Sequence, residues 1–345
     1  MSEAKRVAAL LKREIVEVVG CTEPASCAYA FRTLARHWPA PLDLPTVRAH
    51  LWVSRDVYRN ASTAVVPFLH QRGVRAAVAA GLTTSAAGFN VFPRMNVAAA
   101  RALLRRRGWL EVQPLRKRGI WVRAELIQDA HRGEVLIADR HDRVARLVVD
   151  GREIKLKNPA PITPPGLDAI VRLARRRMPA LETIAEDFLL KQAEGTRRLS
   201  LEKRVARLVR ERMCGHRHAI MTITGSGNHG IFLGLPLREL YREQGRSVLP
   251  AVLLALLVQL RLSQERSRIS DDCGLAIKAA PALAAGLAFA RGATLPQIRG
   301  VIRSVTRKLR SLECQGARAS CGAKAEKSLR LVMDEVNAVT AKSHD

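Results

Sequence analysis

Four prolines fall within the nine residues Asn158–Gly166 (NPAPITPPG), and they constrain this chain more than any other feature. Proline lacks a backbone N–H and clashes with the preceding helical turn, so neither a helix nor a central strand runs through such a stretch. The patterns on its two sides differ. Before it, apolar residues alternate at Thr46–Ser54 (TVRAHLWVS) and Ile120–Gln128 (IWVRAELIQ), the period of half-buried strands. Val144–Lys157 reads as a hairpin, because Asp150-Gly151 between two strand-like runs suits a type I′ turn. Helices are expected around 71–80 and 96–107. After the prolines, helical patterning covers 167–177, 180–193, 199–213, 248–262, 273–290, 295–311 and 316–339. Residues 3–37 also read as helical, broken at Gly20–Pro24 (GCTEP). The expectation is an α+β protein: a mixed α+β N-terminal module, then a predominantly helical C-terminal domain. It divides into 1–40, N-terminal helices that pack on the helical domain; 41–158, the α+β module; and 159–345, the helical domain.

The formal charge of +27 comes from 58 basic and 31 acidic residues, and only 12 of the 58 are lysine. Phosphate contacts dominate nucleic-acid affinity, so an arginine-rich nucleic-acid-binding protein is one reading. The basic residues are spread through every segment with no aromatic-plus-basic strip, so compositional bias explains them better. Nonspecific attraction of polyanions is expected either way. Met1–Gly20 places Val7, Leu10, Leu11, Ile15 and Val18 at helical spacing among charges, an amphipathic helix and not a signal peptide. Val248–Leu260 (VLPAVLLALLVQL) is shorter than a bilayer span and reads as a buried helix. A cytoplasmic chain without a membrane partner is expected.

Six cysteines are present, with no Cys-x-x-Cys among them, which disfavours zinc ribbons and thioredoxin-like sites. Cys21 stands at a helix start, beside free backbone N–H groups that suit a thiolate. Gly225-x-Gly227-x-x-Gly230 has the spacing of a dinucleotide loop, but no second parallel strand with an acidic residue follows it. NAD is therefore not expected. Thr224, Gly225, Ser226, Gly227 and Asn228 offer backbone N–H groups and short polar side chains instead, which could hold the carboxylate and amine of an amino acid. A tight helix–helix connection is the plainer reading.

Four ordered motifs, GCTEP (Gly20–Pro24), TGSGNHG (Thr224–Gly230), DCGLA (Asp272–Ala276) and ECQGARASCGAK (Glu313–Lys324), together resemble the iron–sulfur L-cysteine desulfidase and L-serine dehydratase α-subunit family. SRDVYRN (Ser54–Asn60) and the His141 region match more loosely. The resemblance spans about 10 to 338. It implies a [4Fe–4S] cluster on Cys21, Cys273 and Cys314, with Cys321 a further candidate, and no pyridoxal phosphate. It makes the helical half the cluster-binding catalytic domain. It also implies deamination of L-cysteine to pyruvate, ammonia and sulfide, or of L-serine to pyruvate and ammonia. Three thiolates leave one iron open as a Lewis acid. Glu23, His141, His229 and Lys324 are candidates for the base that takes the Cα proton, and the loop residues 224–228 for substrate contacts. Cys27 and Cys214 read as buried thiols. The partner is a small amino-acid substrate, and a homo-oligomer is compatible with the pattern. The chain departs from the family where His141-Asp142-Arg143 replaces His-Thr-Asn and Cys314-Gln315-Gly316-Ala317-Arg318 replaces Cys-Asp-Gly-Ala-Lys. A weakly catalytic or noncatalytic relative with a sensing or structural role is therefore an alternative.

Overall fold

A computed structural model describes residues 2–156 and 158–341. Helix α1 (Glu3–Glu14) is capped by the Ser2 hydroxyl, and its Val7, Leu10 and Leu11 face inward at helical spacing. The chain does not continue as helix to the GCTEP break. It extends into a short strand β1 (Glu17–Val19) before α2 (Thr22–Arg36). Next come β2 (Arg48–Ser54), α3 (Arg55–Ala61), the small hairpin β3 (Val65–Val66) and β4 (Gln71–Arg72), α4 (Val74–Thr83) and α5 (Val97–Arg105). The strands β5 (Leu110–Leu115), β6 (Trp121–Gln128), β7 (His131–Ala138), β8 (Val144–Val149) and β9 (Arg152–Glu153) complete this half. They join β2 in a six-stranded sheet of order β5-β2-β6-β7-β8-β9, in which β2 and β5 run parallel and the other pairs antiparallel. Asp150 and Gly151 have φ of 49° and 74°, as the type I′ turn between β8 and β9 requires. Pro114 breaks the alternation of β5, and β7 opens on His131, Arg132, Gly133 and Glu134 before an unbroken apolar run, which hid both strands from the sequence pattern.

The prolines of 158–166 lie in a stretch without helix or strand. Beyond them stand α6 (Leu167–Arg175), α7 (Pro179–Leu190), α8 (Leu201–Met213), strand β10 (Ala219–Met221), α9 (Gly227–Gln244), α10 (Leu249–Glu265), α11 (Ala280–Ala290), α12 (Leu295–Leu309) and α13 (Cys321–Ala341). The chain is α+β. Sequence patterning missed α9, where Pro236 sits inside the helix. Residues 229–237 are buried on every side, and that packing outweighs the lost hydrogen bond. The turn before α11 is wound as a π-helix over Leu275–Ala279. The run Gly227–Glu265 is long and apolar enough to cross a membrane by length and composition, longer than the sequence reading allowed; 83% of its most apolar stretch is buried inside the protein.

Two hydrophobic cores result. One lies between the sheet and the helices on it, with Phe31 and Leu34 of α2 against Val122, Val135 and Ile137. The other is built by the C-terminal helices around α10 and α11, where Gly286 lets the backbones close until an added Cβ would lie 2.8 Å from Ala255. The N-terminal helices divide: α1 packs into the helical core and α2 into the sheet core.

Candidate active site

Two short backbone pairings assemble the site. Strand β1 pairs antiparallel with β10, Val18 opposite Ile220, so Cys21 emerges beside the glycine loop some 200 positions away in sequence. An isolated antiparallel bridge joins Asp272 to Glu313; the Cys273 N–H donates to the Leu312 carbonyl at 2.8 Å and the Cys314 N–H to the Asp271 carbonyl at 2.6 Å. The two later cysteine motifs are thus held side by side. Asp271 also receives Arg55 and Arg59 of α3 and Arg118, which ties this loop to the helix bearing Asn60. Between these segments lies a cavity of ≈ 100 Å³ walled by Cys21, Cys273, Cys314 and Cys321, with Glu23, Asn60, His141, Arg212, His229 and Lys278 around them.

The thiols are starved of solvation. Burial, and then the neighbouring Glu23 carboxylate, push the Cys21 thiol well above its ordinary pKa; burial likewise raises Cys273 and Cys321. Cys21 Sγ donates to Glu23 Oε2 at 2.9 Å, and Cys314 Sγ lies 3.8 Å from Asn60 Oδ1. Thiolates in such a place need a cationic group to form, since metal binding releases their protons. The donor set therefore fits an iron–sulfur cluster, to which Cys21, Cys273 and Cys314 would be the ligands and Cys321 a fourth candidate. Cys27 lies outside the cavity, fully buried, its pKa raised to about 12; Cys214 is only half-buried and also lies outside it.

The cavity also holds polar groups without partners. Arg212, at the end of α8, gives Nη1 to Asn228 Oδ1 at 3.0 Å, while its buried Nε and Nη2 bond nothing. His141 is 5% exposed, and neither ring nitrogen has a partner. Its Nε2 lies 3.9 Å from Glu23 Oε1. Burial lowers the His141 pKa despite Glu23, so the ring is neutral. Burial works against charge on Glu23, but His141, Cys21, Arg212 and Asn60 outweigh it and hold its pKa below the usual carboxylate value. An Asn60 N–H donates to Glu23 Oε1 at 2.8 Å.

The glycine loop serves these groups by close approach. A Cβ at Gly225 would stand 2.4 Å from His141 Nδ1, and one at Gly227 2.4 Å from Arg212 Nε. Thr224 turns its hydroxyl to the Ile223 carbonyl and accepts from Gln259, and Ser226 caps α9 through His229 N–H. Both side chains are thus engaged within the protein, and Asn228 is held by Arg212. His229 Nδ1 lies 2.9 Å from Gln259 Nε2, and an amide N–H given to it places the ring proton on Nε2. Burial, with Lys278 and Arg212, pushes its pKa well below the ordinary value. It is a donor to the cavity. Lys324 is not among the cavity walls; its Nζ bonds the Glu313 carbonyl and ties the Cys314 loop to α13. The loop itself is followed by a helix, as a dinucleotide loop is, but β10 pairs only with β1 among the described strands and no parallel sheet surrounds it.

The family model of the serine dehydratase alpha chain matches residues 165–343. The chain belongs to that family. Among its relatives, a UPF0597 protein of Desulfotalea psychrophila is 25% identical, over 91% of this chain and 84% of its own length. UPF0597 proteins of Caldanaerobacter subterraneus and Methanocella arvoryzae are 22% and 23% identical, each over 94% of this chain and 85% of their own. Serine dehydratase alpha chains are a lyase-type family acting in amino-acid catabolism.

The matched region carries the glycine loop, Arg212, Cys273, Cys314 and Cys321, while Cys21, Glu23, Asn60 and His141 come from outside it. Two cavity residues, Arg212 and Lys278, and Gln259, which supports the glycine loop from behind, carried no sequence signal. Arg212 is one arginine of many, and only its burial marks it. Lys278 lies in the π-helix, 1% exposed, its Nζ on the Ser267 and Arg268 carbonyls and its pKa lowered by burial to about 8. Gln259 sits within an apolar run and binds Thr224, His229 and Ser263.

Proposed function

We propose that the protein is a [4Fe–4S]-dependent lyase that deaminates L-cysteine, with release of sulfide, or L-serine, with release of water. The observation that carries this reading is the meeting of Cys21, Cys273 and Cys314, drawn from three distant segments, with the unpartnered donors of Arg212 and the unpartnered ring of His141 in one cavity. When bound, the cluster supplies an iron with an open position that stabilises charge on the leaving sulfur or oxygen.

The chain's own residues do the rest. Arg212 presents two free N–H-bearing nitrogens to the substrate carboxylate, a geometry that suits bidentate binding. His141 is neutral and takes the Cα proton. A proton held at its Nε2 is stabilised by Glu23 Oε1, 3.9 Å away. Asn60 fixes that carboxylate, and His229 donates from Nε2. Loss of the leaving group yields aminoacrylate, which becomes an imine and hydrolyses to pyruvate and ammonia.

A second reading rests on Cys321. It walls the same cavity, and as a fourth ligand it would close the open position and leave a noncatalytic cluster. Anaerobic assays separate the two. Pyruvate and ammonia from L-cysteine or L-serine, with equimolar sulfide only from cysteine, support the lyase. A cluster-loaded protein that forms pyruvate from neither overturns it.

A further inference from the structure

Helix α8 ends in a closure that gathers three ligating side chains outside the cavity. Gly215 has φ 81°, its N–H donates to the Arg212 carbonyl at 3.3 Å, and the His216 N–H donates to the Glu211 carbonyl at 3.0 Å. These are the two bonds of a Schellman motif. Glycine is required there, since a Cβ would stand 2.6 Å from Val65 Cγ1. The closure folds His216 back over the last helical turn. His218 follows two positions on, in the extended approach to β10, and so points to the same side. The two imidazoles stack with centroids 5.9 Å apart and planes at 21°. The intervening Arg217 turns away and lays its guanidinium over the Phe68 ring at 4.8 Å. The ligating atoms of Glu211, His216 and His218 all lie within 4.8 Å of one another. Arg207 Nε holds Glu211 Oε1 at 2.7 Å, which fixes the carboxylate and leaves Oε2, 3.3 Å from His218 Nε2, facing the imidazoles.

We propose that Glu211, His216 and His218 bind a divalent transition-metal ion of the zinc or nickel type, at a site separate from the thiol-lined cavity. Two imidazole nitrogens and one carboxylate oxygen suit such ions, whereas magnesium and calcium prefer all-oxygen sets. Both histidines are exposed, so water completes the coordination. Arg207 acts as the outer partner that orients the carboxylate ligand. The bound ion joins the end of α8 to the start of β10. Arg212, next to Glu211, reaches into the cavity, and β10 runs into the glycine loop, so the ion braces two of the cavity's walls.

Equilibrium dialysis of the full-length protein against zinc, repeated with nickel, tests this. Thiols also bind zinc, so the comparison is between wild type, a His216→Ala/His218→Ala variant and a Cys273→Ser variant. Wild type should bind one ion more than the histidine variant, and the Cys273→Ser chain should keep that ion. Arg207→Ala should weaken its binding about tenfold. Both histidines are exposed, and circular dichroism of the variant checks that their replacement leaves the fold intact. Equal stoichiometry and affinity in wild type and the histidine variant would overturn the proposal, whatever the cluster content.

Discussion

At the scale of single residues, the cavity is walled by groups the motifs announce and groups only burial reveals. Cys21, Glu23, His141, Cys273 and Cys314 were legible because their motifs carry them. Arg212 was not, since nothing in an arginine-rich sequence distinguishes the arginine that is 4% exposed, with two of its three guanidinium nitrogens unpartnered. His229 stood in a motif, yet its role turns on Gln259, far along the chain. If Arg212 receives the carboxylate, Arg212→Lys keeps the charge but loses the fork. A charged hydrogen bond contributes about 1.5–3 kcal/mol, so KM should rise about 10- to 150-fold while iron content holds. If His141 is the base, His141→Asn should cut kcat about 10²- to 10⁴-fold with the cluster retained; a smaller effect would move the role to Glu23. His141 is neutral because burial, Arg268 and Arg212 outweigh Glu23 and Asp142. Its kcat/KM profile should therefore rise with pH through an apparent pKa below 6.5 and be level above it. The same lowered values in His141 and His229 mean that the unfolded chain takes up protons the folded chain refuses. That stability is present above about pH 6.5 and is lost as pH falls below it. Urea midpoints compared at pH 7.5 and 5.5 read this directly. Cys321→Ser should keep both iron and activity if three thiols suffice; loss of the cluster would make it a ligand.

At the scale of elements, long apolar periodicity gave the helices beyond the proline stretch their positions, usually to within a few residues of their ends. The features that build the site were too short to leave a pattern. Strand β1 has three residues and the Asp272–Glu313 bridge one pair, yet these join the four motifs. The π-helix beside Cys273 carries no signature in its residues; such turns often occur at functional sites. Helix α9 was hidden by Pro236, whose cost the surrounding core absorbs. The Asp271 clamp is exposed, and surface ion pairs contribute little to global stability. Asp271→Ala should therefore leave the thermal midpoint nearly unchanged. It should still speed iron loss to a chelator, because the loop bearing Cys273 loses its carboxylate ties to α3 and keeps only Arg59 on the Ser270 carbonyl. Equal rates in the two proteins would show the clamp to be incidental.

At the scale of the whole molecule, the net charge of +27 finds part of its use inside the fold. Arg13, Arg140 and Arg268 surround the Glu14 carboxylate, which is 2% exposed, and Arg268 also walls the thiol cavity. The remaining excess should hold polyanions through counterion release. Retention on heparin should then fall steeply with salt while lyase activity is unaffected by added DNA. The two cores explain why the patterns on either side of the proline stretch pointed to an α+β chain while the cavity lay beyond their reach: the site is made where segments from both cores meet, and no local pattern encodes that meeting. The central claim is that these segments meet to hold a cluster. Iron and acid-labile sulfide per chain, measured after anaerobic purification, test it most directly. About four of each is expected in the wild type, with loss of both in Cys21→Ser, Cys273→Ser and Cys314→Ser. Iron at wild-type level in all three variants, or none in the wild type after reconstitution, would contradict it.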